Sequence, residues 1–219
     1  MDLKKKLAIL FFFIGFSNLI QAQRLLVDTL LAKRIDSLYA EAKKYRALSK
    51  DAYTGGHPVT AAEAKGILEK LKQVDISNNV EVRQIIANYG YPGYTMVGNK
   101  TSHNFWIMLQ FYDQDMDLQT RAVPLMKKEV DKGNAAGEDY AYLVDRFLVN
   151  KNEPQIYGTQ IKLNDEHTTF APQPMIEPEK VDERRKQVGL RPIAEYIQST
   201  NARYYKSMSQ TSSLQSKTK

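Results

Sequence analysis

The sequence predicts a mainly α fold: one helical domain that carries one small β-hairpin. From about residue 24 to residue 50, apolar residues recur at alternating spacings of four and three, the period of an amphipathic helix, and further helical segments follow. Glycines and prolines separate these segments. Only the stretch around residues 154–176 has an extended pattern. The 219 residues include no cysteine, which excludes disulfides and thiolate metal ligands, so a hydrophobic core must hold the domain together.

Residues 1–22 predict a secretory signal peptide. Lysines at positions 4 to 6 precede an apolar run from Leu7 to Ile14, and Ala22 supplies a small residue before Gln23. The run is shorter than the about 20 residues that a spanning helix needs, although an uncleaved anchor is the alternative. We therefore expect an exported protein, periplasmic or secreted, with no membrane span after signal cleavage.

The charge distribution leaves the body of the chain neutral. Of the net charge of +6, residues 1–22 contribute +2 and residues 203–219 contribute +4, so residues 23–202 carry none. A nucleic-acid partner requires a basic face, and none is predicted. The segment 207–219 is polar and poor in apolar residues, which predicts a disordered tail. The predicted domain therefore spans residues 23–206.

The first half of the domain reads as helices. An apolar stripe that includes Leu31, Ile35 and Ala42 predicts a helix from about residue 24 to residue 50. Thr60 and Glu63 form a capping box that starts a helix to about residue 73. A further helix covers about 79–89 and ends at Gly90, and residues 91–98 form a connector rich in turns.

The second half predicts three longer helices, a hairpin and two final helices. The longer helices cover about 100–113, 117–132 and 138–149, and Pro124 inside the second predicts a kink or a break. Two extended runs flank Asn164 and Asp165, as in a short hairpin. A short helix then ends at Gly189, and a last helix runs from Pro192 to about residue 206.

The sequence lacks the common signatures of metal, nucleotide and nucleophile sites. Its histidines, at positions 57, 103 and 167, are far apart and have no metal-ligand spacing. No phosphate loop, dinucleotide fingerprint or nucleophile elbow is present. We therefore expect no metal and no cofactor, and the pattern assigns no catalytic residue.

The stretch "PQIYGTQ" at 154–160 predicts a strand with a polar face. Strand alternation places Gln155, Tyr157 and Thr159 on one side, with Gln160 on the other. Gly158 removes a side chain midway, as at a bulge or a close approach. Two interpretations stay open: this face binds a polar ligand, or it satisfies polar groups in the hairpin's own packing.

Arg146 lies in an otherwise apolar last helical turn, so its guanidinium needs acceptors. It is either a clamp to a neighbouring element or an anchor for an anion. We expect one connected cluster of Asp145, Arg146 and residues 155–160, in which Arg146 bonds a carboxylate or a carbonyl. The complete set of ligand-binding candidates is Gln110, Asp113, Asp145, Arg146, Gln155, Tyr157, Thr159, Gln160, Arg184 and Arg185.

The motifs "YGYP", "DR" at 145–146, "PQIYGTQ" and "RR..VGL" at 184–190 together resemble an uncharacterised bacterial family, the DUF6624 domain of unknown function. The resemblance covers about residues 88–196. Family members tend to read Gln-His-Ala-Asp where this chain has Gln110, Phe111, Tyr112 and Asp113, so the imidazole is replaced here. The resemblance therefore implies a candidate site without implying a reaction.

Two functions remain from the sequence. The first is a binding or interaction module of the cell envelope that holds an unknown polar ligand or envelope partner. The second is a hydrolase-like enzyme in which Asp113 or Asp145 acts as general base. The missing imidazole and the absence of a paired nucleophile in the sequence favour the first.

Overall fold

A computed structural model describes residues 3–54, 59–166 and 168–217. Within these ranges, side chains are described for residues 29 to 206. Within them the chain forms eight α-helices and one two-stranded antiparallel sheet, which confirms the mainly α prediction. The residues group into two compact units, Met1–Met108 and Leu109–Lys219. The single domain over 23–206 stays a prediction.

The first unit is built on two long helices, α1 (Leu3–Thr54) and α2 (Ala61–Tyr89). The helices pack along the predicted apolar stripe, and Ile35 and Ala42 of α1 are completely buried. Val82 and Ile85 of α2 are equally buried. A short helix, α3 (Tyr94–Val97), lies within the predicted connector, and α4 (Asn99–Phe111) follows it.

Helix α2 corrects the prediction of two helices over 60–73 and 79–89, because it is continuous. The intervening residues include neither glycine nor proline, and two of them are buried. Asn78 is one of these, and its amide donates to the Leu38 carbonyl of α1 at 3.0 Å. The predicted ends are confirmed: the Thr60–Glu63 capping box is formed, and Gly90 ends the helix with φ of 73°.

In the second unit, α5 (Met116–Asp131) packs against α6 (Gly137–Asn150). Their buried side chains include Leu118, Met126 and Leu143. Of the kink or break predicted at Pro124, the break does not occur, since α5 continues through it. Pro124 itself is exposed, and the burial of neighbouring side chains offsets the one backbone hydrogen bond that proline cannot donate.

The hairpin lies where the sequence predicts it. Strand β1 (Ile161–Leu163) pairs antiparallel with β2 (Phe170–Pro172). Between them, the Asn164 side-chain oxygen accepts from the backbone N–H groups of Thr168 and Thr169, at 2.7 and 3.0 Å. The side-chain amide is therefore the acceptor that closes the turn.

Residues 154–160 do not form the predicted strand. Their backbone makes one isolated bridge, between Gln155 and Met175, and is otherwise irregular. After the hairpin, a single 3₁₀ turn at Pro178–Lys180 leads into α7 (Val181–Gln187), and α8 (Ile193–Lys217) ends the described chain.

Helix α8 continues beyond its predicted end near residue 206. Side chains after 206 lie outside the described residues, so the disordered tail over 207–219 stays a prediction, as does the signal peptide over 1–22. Among the helices that the structure describes, none combines the length and apolarity needed to cross a bilayer.

We predict that Thr60→Ala lowers the free energy of unfolding by about 1 kcal/mol, because it removes the N-cap acceptor of α2. The Glu63 backbone N–H donates to the Thr60 hydroxyl at 3.2 Å, and the Thr60 N–H donates to the Glu63 carboxylate at 2.7 Å. Urea denaturation followed by circular dichroism measures the change. Thr120→Ala is the control, since the Thr120 hydroxyl bonds only a carbonyl of its own helix. Equal midpoints for both variants would contradict the prediction.

Candidate functional site

The side chain of Asp145, on α6, is completely buried beneath the loop 155–160. One carboxylate oxygen accepts from the backbone N–H groups of Ile156 and Tyr157, at 2.8 and 3.0 Å. The other accepts from the Thr159 N–H at 2.9 Å, the Thr159 hydroxyl at 3.0 Å and the Tyr157 N–H at 3.2 Å. The carboxylate thus binds three backbone groups of a loop that begins ten residues later.

This contact explains why no strand forms at 154–160. Burial raises the pKa of Asp145, and the hydrogen bonds from the loop oppose that rise because they stabilise the ionised form. The loop curls its N–H groups towards one point, whereas a strand would direct them alternately to two sides. Gly158 permits the curl with a φ of 69°, a conformation that favours glycine.

Side chains of α7 and α8 donate hydrogen bonds to the carbonyl groups of the same loop. Arg184 donates from Nε to the Ile156 carbonyl at 2.8 Å, and Arg185 donates from Nη1 to the Tyr157 carbonyl at 2.7 Å. The Tyr196 hydroxyl donates to the Thr159 carbonyl at 2.9 Å. Both arginines therefore hold the loop through its backbone carbonyls.

Arg185 is a buried cation held by neutral groups. It is 1% exposed, and its Nε also donates to the Arg191 carbonyl at 2.6 Å. Its guanidinium carbon lies 5.1 Å from the centroid of the Tyr196 ring, within cation–π range. Burial lowers the pKa of Arg185, as expected for a cation removed from water.

Gln155 closes the loop with its side-chain amide. Its Nε2 donates to the carbonyls of Gln160 and Gln173, each at 2.9 Å, and its Oε1 accepts from the Gln160 N–H at 2.9 Å. Gln155, Tyr157 and Thr159 are all buried. The polar face predicted for a ligand is thus directed into the protein, in agreement with the alternative that it satisfies the hairpin's own packing.

Asp113 and Arg146 form a second, more open polar site. Arg146 Nη1 lies 3.3 Å from Asp113 Oδ2, and the two side chains are 37% and 27% exposed. The Asn150 amide donates to the Asp113 carbonyl at 2.9 Å, which fixes the chain after α4 against α6. Gln110 lies three residues before Asp113, and no acceptor in the described part of the chain bonds its buried Nε2.

The predicted partner of Arg146 is confirmed, since it bonds a carboxylate. The predicted single cluster is wrong, because the loop hydrogen bonds go to Asp145 and the described bond of Arg146 goes to Asp113. Consecutive helical residues point about 100° apart, so Asp145 and Arg146 face different neighbours. The candidates therefore divide into a buried framework around Asp145 and the loop and an open site of Asp113 and Arg146, and the buried Nε2 of Gln110 bonds neither of them among the described residues.

Sequence reasoning missed two supports of the framework. Tyr196 fixes the Thr159 carbonyl, and Asp182 accepts from the Ile193 N–H at 2.7 Å, at the start of α8. The Ile193 side chain explains Gly158 further, since a Cβ there would lie 2.5 Å from Ile193 Cδ1. Asp182 lies eleven residues before the start of α8, so no local sequence pattern marks it as the acceptor for Ile193.

The described residues contain no group of three or more His, Asp or Glu side chains placed to hold a metal ion. His103 is exposed, and its ring stacks on Trp106 with centroids 5.0 Å apart. The other two histidines, at 57 and 167, lie outside the described residues.

We predict that Asp145→Asn destabilises the protein by about 3 kcal/mol, because an amide NH₂ then faces N–H donors and leaves buried groups unpaired. Thermal or urea unfolding of the purified variant measures this cost. The control, Asp165→Asn, changes an exposed acid and should leave stability within about 0.5 kcal/mol. A similar small effect at both positions would show that the Asp145 hydrogen bonds contribute little.

Comparison with known proteins gives a family. A model of a family of unknown function (DUF6624) matches residues 36–208, which includes both the buried framework and the open site. Neither the curated proteins nor the solved structures yielded a match. Since the family model covers most of its length, this chain belongs to the DUF6624 family of unknown function.

Proposed function

We propose that this chain is an exported binding module of the cell envelope that holds a polar ligand at Asp113 and Arg146. One observation carries the proposal: the side chain of Arg146 is 37% exposed, and its one hydrogen bond among the described residues runs from Nη1 to Asp113 at 3.3 Å. A guanidinium has five N–H donors, so most of the donors of Arg146 are available to a ligand. Export is proposed from the signal-peptide pattern of residues 1–22.

The chemistry of the open site favours a carboxylate ligand. The planar fork of Arg146 fits the two oxygens of a carboxylate. Asp113 carries a negative charge 3.3 Å from the guanidinium. That charge would repel a doubly charged anion more strongly than a singly charged one, so a monocarboxylate fits better than a phosphate.

The same geometry argues against a hydrolase based on Asp145. A general base must come within hydrogen-bond reach of the proton that it removes. Asp145 is completely buried, and its oxygens already accept from the loop. Asp113 is accessible but bonded to Arg146, and Phe111 occupies the position where the family resemblance implies an imidazole. Binding therefore agrees better with the site than hydrolysis does.

We predict that N-acetylalanine binds the mature protein and that its methyl ester does not, because the ester lacks the carboxylate that Arg146 would hold. NMR titration should move the side-chain signals of Arg146 with the acid alone. Arg146→Ala and Arg146→Lys should both weaken binding at least about ten-fold, since an ammonium lacks the planar fork.

The matched control is Arg121→Ala. Arg121 also pairs with an aspartate, Asp117, at 3.4 Å on an exposed helix face. Binding by this variant should equal that of the parent protein. Equal binding by the Arg146 variants, or equal binding of acid and ester, would contradict the proposed site.

Loss of binding should be separable from loss of folding. Ion pairs exposed to solvent contribute about 1 kcal/mol or less, so Arg146→Ala should shift the unfolding midpoint only slightly. A drop of several kcal/mol in unfolding free energy would instead identify Arg146 as part of the framework.

A further inference from the structure

The outer face of α2 carries apolar and basic side chains in alternation. Taken as a helix of 3.6 residues per turn, Lys65, Leu68, Lys72, Ile76 and Val80 fall within about 120° of the helix circumference. We call these five residues the α2 stripe. Both lysines are exposed, and the leucine, isoleucine and valine are 37%, 55% and 50% exposed.

The α2 stripe is not required by the packing of α1 on α2. The side of α2 that is buried carries Val74, Asn78, Val82 and Ile85, which lie on the opposite half of the helix. The three large apolar side chains of the α2 stripe therefore bury little surface when α1 packs on α2. A contiguous apolar patch that is exposed to solvent and rimmed by polar side chains indicates an interaction site.

Exposed apolar surface continues from the α2 stripe onto the last turn of α1. Tyr53, in the last turn of α1, is 75% exposed. It borders an apolar groove of about 320 Å³ together with Lys65 and Leu68, and small alanines of both helices form the rest of its lining. The exposed aromatic ring thus extends the apolar surface of α2 onto α1.

The charges of this face select the partner. On the same sector of α2, Lys65, Lys72 and Arg83 provide three positive charges and Glu69 one negative charge. A helix face that combines lysines with aliphatic and aromatic side chains suits the boundary of an anionic bilayer, where apolar groups enter and lysines meet lipid phosphates.

We propose that the α2 stripe and Tyr53 dock this protein peripherally on an anionic lipid surface. The docked protein lies on the bilayer without spanning it. The α2 stripe and Tyr53 share no residue with the Asp113–Arg146 site, so this inference does not depend on the proposed ligand.

The test is co-sedimentation of the mature chain from Gln23 with lipid vesicles. Residues 1–22 are omitted because their apolar run would itself bind lipid. The protein should pellet with phosphatidylcholine vesicles that contain about one third phosphatidylglycerol, and should stay in solution with pure phosphatidylcholine, because lysines require the anionic headgroups.

Two double variants separate the charged and apolar contributions. Lys65→Glu with Lys72→Glu should weaken partitioning by at least roughly 25-fold, since each lysine near an anionic surface contributes about a five-fold change. Ile76→Ser with Val80→Ser should weaken it by at least about ten-fold through lost apolar burial. All four positions are exposed, so circular dichroism melts of the variants should match the parent.

The controls change residues of the same kinds in the second unit. Lys162→Glu alters an exposed lysine of β1, and Ile176→Ser alters an isoleucine that is 41% exposed. Both should bind vesicles like the parent. The inference is overturned if the parent does not pellet, if both vesicle types bind equally, or if only the lysine changes reduce binding, which would indicate general attraction to polyanions.

Discussion

The carboxylate of Asp145 is the contact on which the organisation of the second unit depends. It accepts from the backbone of residues 156, 157 and 159 at a position that solvent does not reach. Without it, three buried N–H groups would lack acceptors, each at a cost of about 1–3 kcal/mol. The bent loop then directs its carbonyls away from Asp145, and Arg184, Arg185 and Tyr196 bond them there. One carboxylate therefore links α6, the loop, α7 and α8.

Polar residues that look alike in the sequence have different roles in the structure. The amide of Gln155, the hydroxyl of Thr159 and the guanidinium of Arg185 are buried and bond the protein itself. Arg146 bonds Asp113 loosely and keeps a third of its side chain in solvent. The buried groups form a hydrogen-bonded framework, and a preorganised framework of this kind lowers the entropic cost of holding a ligand-binding side chain in place. The proposed ligand site is thus the part of the polar set that folding does not use.

The sequence predicts the helices well because their signals are local. Thr60 with Glu63 marks the start of α2, and Gly90 marks its end, through contacts within a single turn. The failures concern contacts that join distant segments. The amide of Asn78 finds a carbonyl on α1, which supports an uninterrupted α2, and the backbone of 156–159 finds a carboxylate on α6. Alternation along "PQIYGTQ" assumes that a neighbouring strand supplies the acceptors, and here a helix supplies them.

The candidate site was predictable in part for the same reason. An arginine in an apolar helical turn requires an acceptor, and the sequence therefore indicates that Arg146 has a partner. It does not indicate which carboxylate, because Asp113 precedes it by 33 residues. The adjacent positions 145 and 146 suggest one cluster, yet the helical rotation between them separates a structural role from an accessible one.

The most direct measurement is native-state hydrogen exchange of the backbone amides of Ile156, Tyr157 and Thr159. If the Asp145 carboxylate organises this unit, these loop amides exchange as slowly as that of Leu143 in the buried part of α6, and all become fast in Asp145→Asn. Exchange of the three amides at the rate of exposed loop residues in the parent protein would contradict the account.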